Sequence, residues 1–239
     1  MTSKALRHPV RLIPLGFLAG IAVGTLLLLL PIARAGPGGA PLLVALFTAT
    51  SAICVTGLAV VDTGTYWSPL GQLIILLLIQ IGGLGIMTAA TLLGLIVSNR
   101  LRLGRRLLAQ AETRTMALGD VSEALRLILM VVLSVQAVIG VALFLRLHFG
   151  YDEPIGTAAW NGLFHAVSSF NNAGFARWSD SVMGFASDPL MLGPLMIAVV
   201  LGAIGFPVLY ELKREPWTPR TWSLHTKLTL VGTAGLLFV

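Results

Sequence analysis

Two short stretches of this sequence carry residue types that could surround a bare cation with oxygen atoms. Cys54, Val55, Thr56 and Gly57 form the first, and Asn171, Asn172, Ala173 and Gly174 form the second, 117 residues later. Backbone carbonyls can replace the hydration shell of an ion without adding formal charge, and a glycine allows φ values that turn carbonyls inward. Neither stretch contains a carboxylate, which favours monovalent over divalent ions. We therefore predict an ion-binding filter at these eight residues.

Each stretch lies at the end of a segment that copies the other. Residues 46–58 and 163–175 agree in register at five positions, which are Leu, Phe, Ala, Ser and Gly. Each segment begins like a short apolar helix and ends on a glycine. Non-helical backbone at membrane depth is tolerated only where it is buried in protein or lines a watery cavity. The pattern therefore predicts a pore.

The elements that must position these glycines are helices of two lengths. Crossing a bilayer takes about 20 apolar residues, so segments 41–53 and 156–169 are predicted to be re-entrant half-helices. Full spans are expected on both sides of each half-helix, at 12–32 and 69–97 around the first and at about 120–148 and 190–212 around the second. Each half-helix would point its C-terminal end, where the helix dipole is negative, towards the cation.

Composition places this chain among polytopic membrane proteins. Hydrophobic residues make up 56% and charged residues 11%, against roughly 25% charged residues in soluble domains. The single cysteine, Cys54, excludes an intrachain disulfide framework and a multi-cysteine metal site. An intramembrane enzyme is disfavoured, because the spans hold almost no central acidic residues and Cys54 has no evident histidine partner. The fold class predicted is all-α.

The distribution of charge predicts the orientation and argues against nucleic acid as a partner. The N-terminus, the 98–120 loop with its flanks and the 213–227 link, counted with the flanking Glu123, Arg126 and Glu211, together hold 13 Lys and Arg against 5 Asp and Glu. The opposite side holds three arginines against five carboxylates, so the two sides carry +8 and −2 and sum to the net +6. By the positive-inside rule the N-terminus is cytoplasmic and both glycine ends face outward, under an acidic mouth that concentrates cations.

Two repeats follow from this order. Residues 1–98 form a first unit of span, half-helix with filter glycine, and span (M1–P–M2, as in potassium channels), and residues 121–213 form a second. A basic cytoplasmic loop, 99–120, joins them, and 214–239 is a cytoplasmic link with the start of a third repeat. The repeats are parallel, because each contains two full spans and returns to the side on which it began.

Three motifs in order resemble the Ktr/Trk/HKT family of potassium transporters. They are Thr-Ser-Ala-Ile-Cys-Val-Thr-Gly-Leu at 50–58, Gln-Ile-Gly-Gly-Leu-Gly-Ile-Met-Thr at 80–88 and Ser-Phe-Asn-Asn-Ala-Gly-Phe at 169–175. The first motif is most similar to that of the KtrB branch. The chain also begins directly with the first repeat, as in that branch. The resemblance covers essentially the whole chain.

The resemblance implies a function and partners. It implies a pore-forming subunit for potassium uptake across the cytoplasmic membrane, with four M1–P–M2 units and one filter glycine in each. It also implies a homodimer, a cytoplasmic nucleotide-binding ring of the KtrA/TrkA type, and no covalently bound cofactor. Sodium coupling is plausible in the family, and these residues do not decide it.

The chain departs from that pattern in length. Two complete units and an apolar run from residue 226 are present, so we expect a chain truncated after two of four repeats. The alternative function is a non-conducting assembly or regulatory fragment of such a transporter.

Several single residues have two interpretations. The glycines of the second spans, Gly82, Gly83, Gly85, Gly202 and Gly205, are expected to allow close helix packing rather than to contact ions. His165 is expected to make a hydrogen bond behind the filter, and Cys54 to act through its carbonyl. Asn171 and Asn172 either brace the filter through their side chains or line it with carbonyls. Asp62 and Asp180 either attract ions or are solvated loop charges.

Overall fold

The computed structural model describes residues 9–86, 118–214 and 217–237, and these residues are mainly helical. Only one isolated antiparallel bridge, between Arg34 and Trp67, interrupts that pattern in the described parts of the chain. The helices are α1 (Pro9–Leu28), α2 (Leu42–Ile53), α3 (Thr63–Tyr66), α4 (Pro69–Ile86), α5 (Leu118–Gly150), α6 (Ile155–Phe170), α7 (Pro189–Ile204), α8 (Phe206–Arg214) and α9 (Leu224–Leu237). Short 3₁₀ turns occur at Pro31–Ala33 and Met183–Phe185.

Two of these helices are long and apolar enough to cross a membrane by length and composition. They are Pro69–Ile86 and Ile128–Gly150, the second being the apolar part of α5. Three shorter apolar helices, Pro14–Leu28, Leu42–Ile53 and Pro189–Ile204, accompany them in the described residues. At about 1.5 Å per residue, α2 with 12 residues is roughly 18 Å long and falls short of a bilayer. The helical class agrees with the prediction.

The chain divides into two compact units. The first comprises Met1–Leu84 and Ser134–Ala203, and the second comprises Gly85–Leu133 and Ile204–Val239. In the first unit, α1 packs along α2. Gly24 of α1 permits this approach, because an added Cβ would lie 2.7 Å from Leu78 of α4 and 3.3 Å from Ala49 of α2. Small residues therefore bring α1, α2 and α4 together around one apolar core.

A second close crossing joins α5 to α6 in the same unit. A Cβ added to Gly162 would lie 2.7 Å from the carbonyl oxygen of Gly140 and 3.0 Å from the backbone nitrogen of Phe144. Two glycines facing each other let two helix backbones touch, which is how small residues act in membrane helices. α5 thereby holds α6 in place.

The C-terminal end of α5 and the N-terminal end of α7 are joined by a salt bridge. Arg146 Nε lies 2.8 Å from Asp188 Oδ2, and the Tyr151 hydroxyl donates to the same oxygen over 2.9 Å. The hydrogen bond from Arg146, followed by that from Tyr151, holds the pKa of the Asp188 carboxyl below its usual value. Asp188 also accepts from the backbone N–H of Leu190, so one carboxylate both caps α7 and ties it to α5.

The predicted fourth span is not one continuous helix. The structure divides it at Gly205, whose φ of 84° interrupts the helix between α7 and α8. Glycine tolerates that φ because it has no Cβ, and Pro207, two residues later, has no N–H to continue the helical ladder. The first span also ends earlier than predicted, at Leu28, before the turn of Pro31–Ala33.

In the second unit, the carboxylate of Glu211 in α8 fixes the start of α9. It accepts from the backbone N–H and the hydroxyl of Ser223, each over 2.7 Å, and from the hydroxyl of Thr226. The polar 213–227 link therefore ends in a capped helix. The five arginines of the predicted 99–120 loop, together with residues 1–8 and 87–97, lie outside the described residues.

Candidate functional site

The two predicted ion-binding stretches have the same backbone hydrogen bonds. At the end of α2, the N–H of Cys54 donates to the carbonyl of Thr50 over 2.9 Å, that of Val55 to Ala52 over 3.2 Å, and that of Thr56 to Ser51 over 2.9 Å. At the end of α6, the N–H of Asn171 donates to the carbonyl of Val167 over 3.1 Å, that of Asn172 to Ser169 over 3.0 Å, and that of Ala173 to Ser168 over 2.8 Å. Every donor and acceptor is displaced by the same 117 residues. The sequence repeat is therefore also a structural repeat.

The dihedral angles repeat as well. Cys54 and Asn171 end their helices with φ of −83° and −79°, each with ψ of 0°. The next residues, Val55 and Asn172, are left-handed, with φ of 55° and 56°. Gly57 and Gly174 follow at 75° and 72°. Two left-handed residues separated by one position turn each chain sharply away from its helix, and the glycines are in the region that other residues avoid.

The two turns approach each other directly. A Cβ added to Gly174 would lie 3.4 Å from Gly57 Cα, and one added to Gly57 would lie 3.1 Å from Gly174 Cα and would clash with the carbonyl oxygen of Ala173. Glycine is thus required at residue 57 for its φ and for the space. We refer to residues 54–57 and 171–174 as the first and second glycine loops.

The predicted packing role of the second-span glycines is confirmed at two equivalent positions. A Cβ on Gly82 in α4 would strike the carbonyl oxygen of Ile53, the last residue of α2, and one on Gly202 in α7 would strike that of Phe170, the last residue of α6. Ile53 and Phe170 are again 117 residues apart. Each glycine loop is therefore supported from behind by a helix that carries no side chain at the contact.

The side chains of the two loops are held differently. In the first loop, the Thr56 hydroxyl donates to Ser51 Oγ over 3.0 Å. In the second, Asn171 Nδ2 donates to the carbonyl of Val167 over 2.9 Å and to Gln80 Oε1 over 3.2 Å. Asn171 therefore braces its loop through its side chain. Asn172 is exposed.

His165 has hydrogen bonds at both ring nitrogens, which confirms that it is a hydrogen-bonded side chain. Nδ1 lies 2.8 Å from the carbonyl oxygen of Asn161, and Nε2 accepts from the backbone N–H of Arg177 at 3.2 Å. A carbonyl can only accept and an N–H can only donate, so this pairing requires the neutral imidazole protonated at Nδ1. Trp178 stacks on the ring with centroids 3.9 Å apart. The histidine is thus a structural link to the segment that follows Gly174.

Arg177 brings a positive charge into that segment. Its guanidinium donates to Asn161 Oδ1, and the Asn161 amide donates to Glu153 Oε2 over 2.8 Å. Partial burial lowers the pKa of Arg177, and the Glu153 carboxylate opposes that effect. The glutamate offsets the charge of the arginine, so this network stays close to neutral.

An open cavity of about 380 Å³ lies over the loops. It is bounded by the segments that follow each glycine, at residues 59–63 and 174–181, and Asp62 is its carboxylate. Asp62 also accepts from the backbone N–H of Thr65 over 2.8 Å and so caps α3. Asp180 is exposed. In the described chain, no three His, Cys, Asp or Glu side chains gather as a metal site would require.

Sequence reasoning missed several features of this site. Pro154 begins α6 as Pro41 begins α2, with φ of −55° and −58° at the two N-caps, and this match was visible in the sequence. The pairing of Gln80 with Asn171 was not visible, because the two residues are 91 positions apart.

Comparison with known proteins gives the family. The model of the TrkH family, described as cation transport proteins, matches residues 27–223. The chain is 40% identical over 228 residues to Ktr system potassium uptake protein B of Bacillus subtilis, covering 95% of this chain and 50% of that protein. It is 38% identical to the protein of the same name from Vibrio alginolyticus, covering 96% of this chain and 50% of that protein.

A further relative is named for two ions. The potassium/sodium uptake protein NtpJ of Enterococcus hirae is 33% identical, over 96% of this chain and 50% of its own length. The chain thus spans about half the length of the curated relatives it matches. Both the matched residues and the identity to these relatives identify the chain as a membrane protein of the TrkH family of cation transport proteins.

Proposed function

We propose that this chain forms part of a potassium uptake pore in which the two glycine loops are segments of one selectivity filter. The observation that carries the proposal is the repeated backbone. Two loops 117 residues apart share hydrogen bonds, left-handed residues and a terminal glycine, and they meet at the glycines. A pore lined by equivalent segments needs such repetition, because each segment must present its carbonyls to the same ion.

The chemistry of the loops suits a monovalent cation. Carbonyls supply oxygen ligands without formal charge, and both loops follow the C-terminal end of a helix, where the dipole is negative. Potassium is the substrate we infer, since the two Ktr relatives are named potassium uptake proteins. Sodium is the second candidate, because the NtpJ relative is named for both ions.

The architecture we propose keeps the boundaries predicted from sequence. Residues 1–98 and 121–213 are two M1–P–M2 repeats joined by a cytoplasmic loop at 99–120, and 214–239 leads into a third repeat. The N-terminus is cytoplasmic and the cavity over the glycine loops faces outward. Support comes from the element order, in which α2 and α6, the helices that end at the loops, are each followed by a glycine-bearing apolar helix.

Partners follow from the relatives rather than from this chain. The relatives' names describe a Ktr system, and we propose a homodimer that works with a cytoplasmic nucleotide-binding ring. Binding of such a ring would act on the cytoplasmic face, where the basic segments are concentrated.

The test is rubidium uptake in cells that lack their own potassium uptake systems and express the complete reading frame containing this chain. Gly57→Ser combined with Gly174→Ser should abolish uptake, because φ of 75° and 72° disfavours a side chain and because residue 57 has no space for one. Rubidium uptake that survives both substitutions would refute the proposed filter.

Gly38→Ser is the matched control. Gly38 also has a left-handed φ of 77°, but it lies between α1 and α2, and an added Cβ would meet nothing within 4 Å. The backbone cost is therefore comparable, while the glycine loops are untouched. Uptake should be retained in this variant when the results are corrected for the amount of protein in the membrane.

A non-conducting assembly or regulatory role is the second candidate. In that case this chain expressed without further sequence would leave rubidium uptake at background while still co-purifying with a complete transporter.

A further inference from the structure

Three amide side chains meet behind the second glycine loop. Gln80 comes from α4, Gln136 from α5 and Asn171 from the end of α6. Gln80 Oε1 accepts from Gln136 Nε2 over 2.9 Å and from Asn171 Nδ2 over 3.2 Å. Gln136 is 4% exposed and Asn171 is 5% exposed. We refer to these three residues as the amide cluster.

Helix α4 provides both a hydrogen-bond acceptor and a space for Asn171. Gln80 and Gly83 are three residues apart, so they lie on the same helix face. A Cβ on Gly83 would clash with Asn171 Oδ1. Because residue 83 has no side chain, there is space for the Asn171 amide against α4. The hydrogen bond to Gln80 then fixes the orientation of that amide.

The cluster has no counterpart at the first glycine loop. The position equivalent to Asn171 is Cys54, which carries no amide and packs against the apolar core. The first loop instead makes a local contact, from Thr56 to Ser51. The second loop therefore adds to its own local bond, from Asn171 to Val167, a link through Gln80 to α4 and α5.

The hydrogen bonds of the cluster are few enough for each to matter. Among the described residues, Asn171 Oδ1 and Gln80 Nε2 have no hydrogen-bond partner, so one bond joins Asn171 to α4. Without Gln80, the Asn171 Nδ2 group would retain only the carbonyl of Val167. Asn172 follows directly with its left-handed φ. A rotation of the Asn171 side chain would therefore also move the peptide groups that form the loop.

We propose that Gln80 and Gln136 are positioning residues that set the ion selectivity of the second glycine loop through Asn171. This inference rests on the proposed function of the loops as a filter. Gln80 holds the Asn171 amide, and Gln136 holds Gln80 by donating to the same oxygen. Neither glutamine contacts the ion.

The experiment measures how strongly sodium and potassium each inhibit rubidium uptake by the complete transporter. Gln80→Met keeps the length and volume of the side chain but removes the acceptor. A neutral hydrogen bond contributes about 1 kcal/mol, so the ratio of the two inhibition constants should change roughly threefold to tenfold. Gln136→Met should change the ratio in the same direction and by less, because Gln80 remains to accept from Asn171.

Gln72→Met is the matched control. Gln72 is also a buried amide of α4, 3% exposed, but its partners are the backbone carbonyls of Gly64 and Trp67 and the indole of Trp160. The variant should lower thermal stability without changing the selectivity ratio. If Gln80→Met behaves like Gln72→Met, with less stable protein and unchanged selectivity, the two glutamines are merely structural and the inference is wrong.

A double-mutant cycle supplies a second readout. In the presence of Asn171→Leu, Gln80→Met should have no further effect on the ratio, because the side chain through which it acts is gone. Additive effects would also overturn the inference. Either failure leaves the filter proposal intact as long as the double glycine variant abolishes uptake, so the two hypotheses are separated.

Discussion

At residue 172 the chain adopts a conformation that costs most side chains about 1–2 kcal/mol. Asn172 has φ of 56°, and asparagine is one of the residues that accept this region. Its counterpart Val55 has φ of 55°, which is unusual for a β-branched residue. Val55 packs against the apolar core of the first unit, and this burial offsets the backbone cost. The two loops thus reach one conformation with different side-chain chemistry.

We expect Asn172→Val to lower the free energy of unfolding by roughly 1–2 kcal/mol, because valine would carry the left-handed cost at an exposed position that offers little burial. Thermal unfolding of the purified protein in detergent measures this change. Asn172→Gly is the control and should be close to neutral, since glycine also accepts a positive φ. Equal losses in the two variants would mean that the amide, and not the backbone, is what matters at this position.

At the scale of helices, two equivalent contacts determine where the loops lie. Gly82 of α4 touches the end of α2, and Gly202 of α7 touches the end of α6. Each contact joins a helix backbone to a carbonyl oxygen, which cannot move aside as a flexible side chain can. The positions of the glycine loops are therefore set by the distance between two backbones.

Alanine at either glycine should push the helices apart. Overpacking typically costs about 1–3 kcal/mol, so we expect Gly82→Ala and Gly202→Ala each to destabilise the protein by that amount, measured by thermal unfolding. Gly16→Ala in α1 is the control, because an added Cβ there would meet nothing within 4 Å. It should be neutral or stabilising by up to about 1 kcal/mol. A neutral result for Gly202→Ala would show that the contact with Phe170 is looser than described.

The sequence predicted the order of these helices because their signals are local. The lengths of the apolar runs predicted half-helices and full spans, and the repeated glycines predicted where the loops lie. Of the four predicted full spans, the described residues contain two helices long enough to cross a membrane, Pro69–Ile86 and Ile128–Gly150. The break at Gly205 was missed because a glycine two residues before a proline inside an apolar run is also compatible with a continuous membrane helix. The amide cluster was missed for another reason. Gln80, Gln136 and Asn171 are brought together by the fold, and no periodicity records a contact between distant segments.

At the scale of the whole molecule, the predicted spans place the positive and negative charge on opposite sides of the membrane. The side assigned to the cytoplasm carries +8 and the other side −2, and this division depends on segments as far apart as residues 4 and 227. The five arginines of the 98–120 loop lie outside the described residues, so the orientation is a prediction from charge alone. It decides whether ions reach the glycine loops from the outside, and it can be tested directly.

Cysteine labelling of intact cells tests the orientation, because Cys54 is the only cysteine of the sequence. In a Cys54→Ser background, Ser187→Cys lies in the exposed segment before α7 and should react with a membrane-impermeant maleimide in intact cells. Trp217→Cys, at a residue that is 90% exposed between α8 and α9, should react only after permeabilisation. The reverse pattern would place both glycine loops on the cytoplasmic side, and the acidic cavity would then receive ions leaving the cell instead of ions entering it.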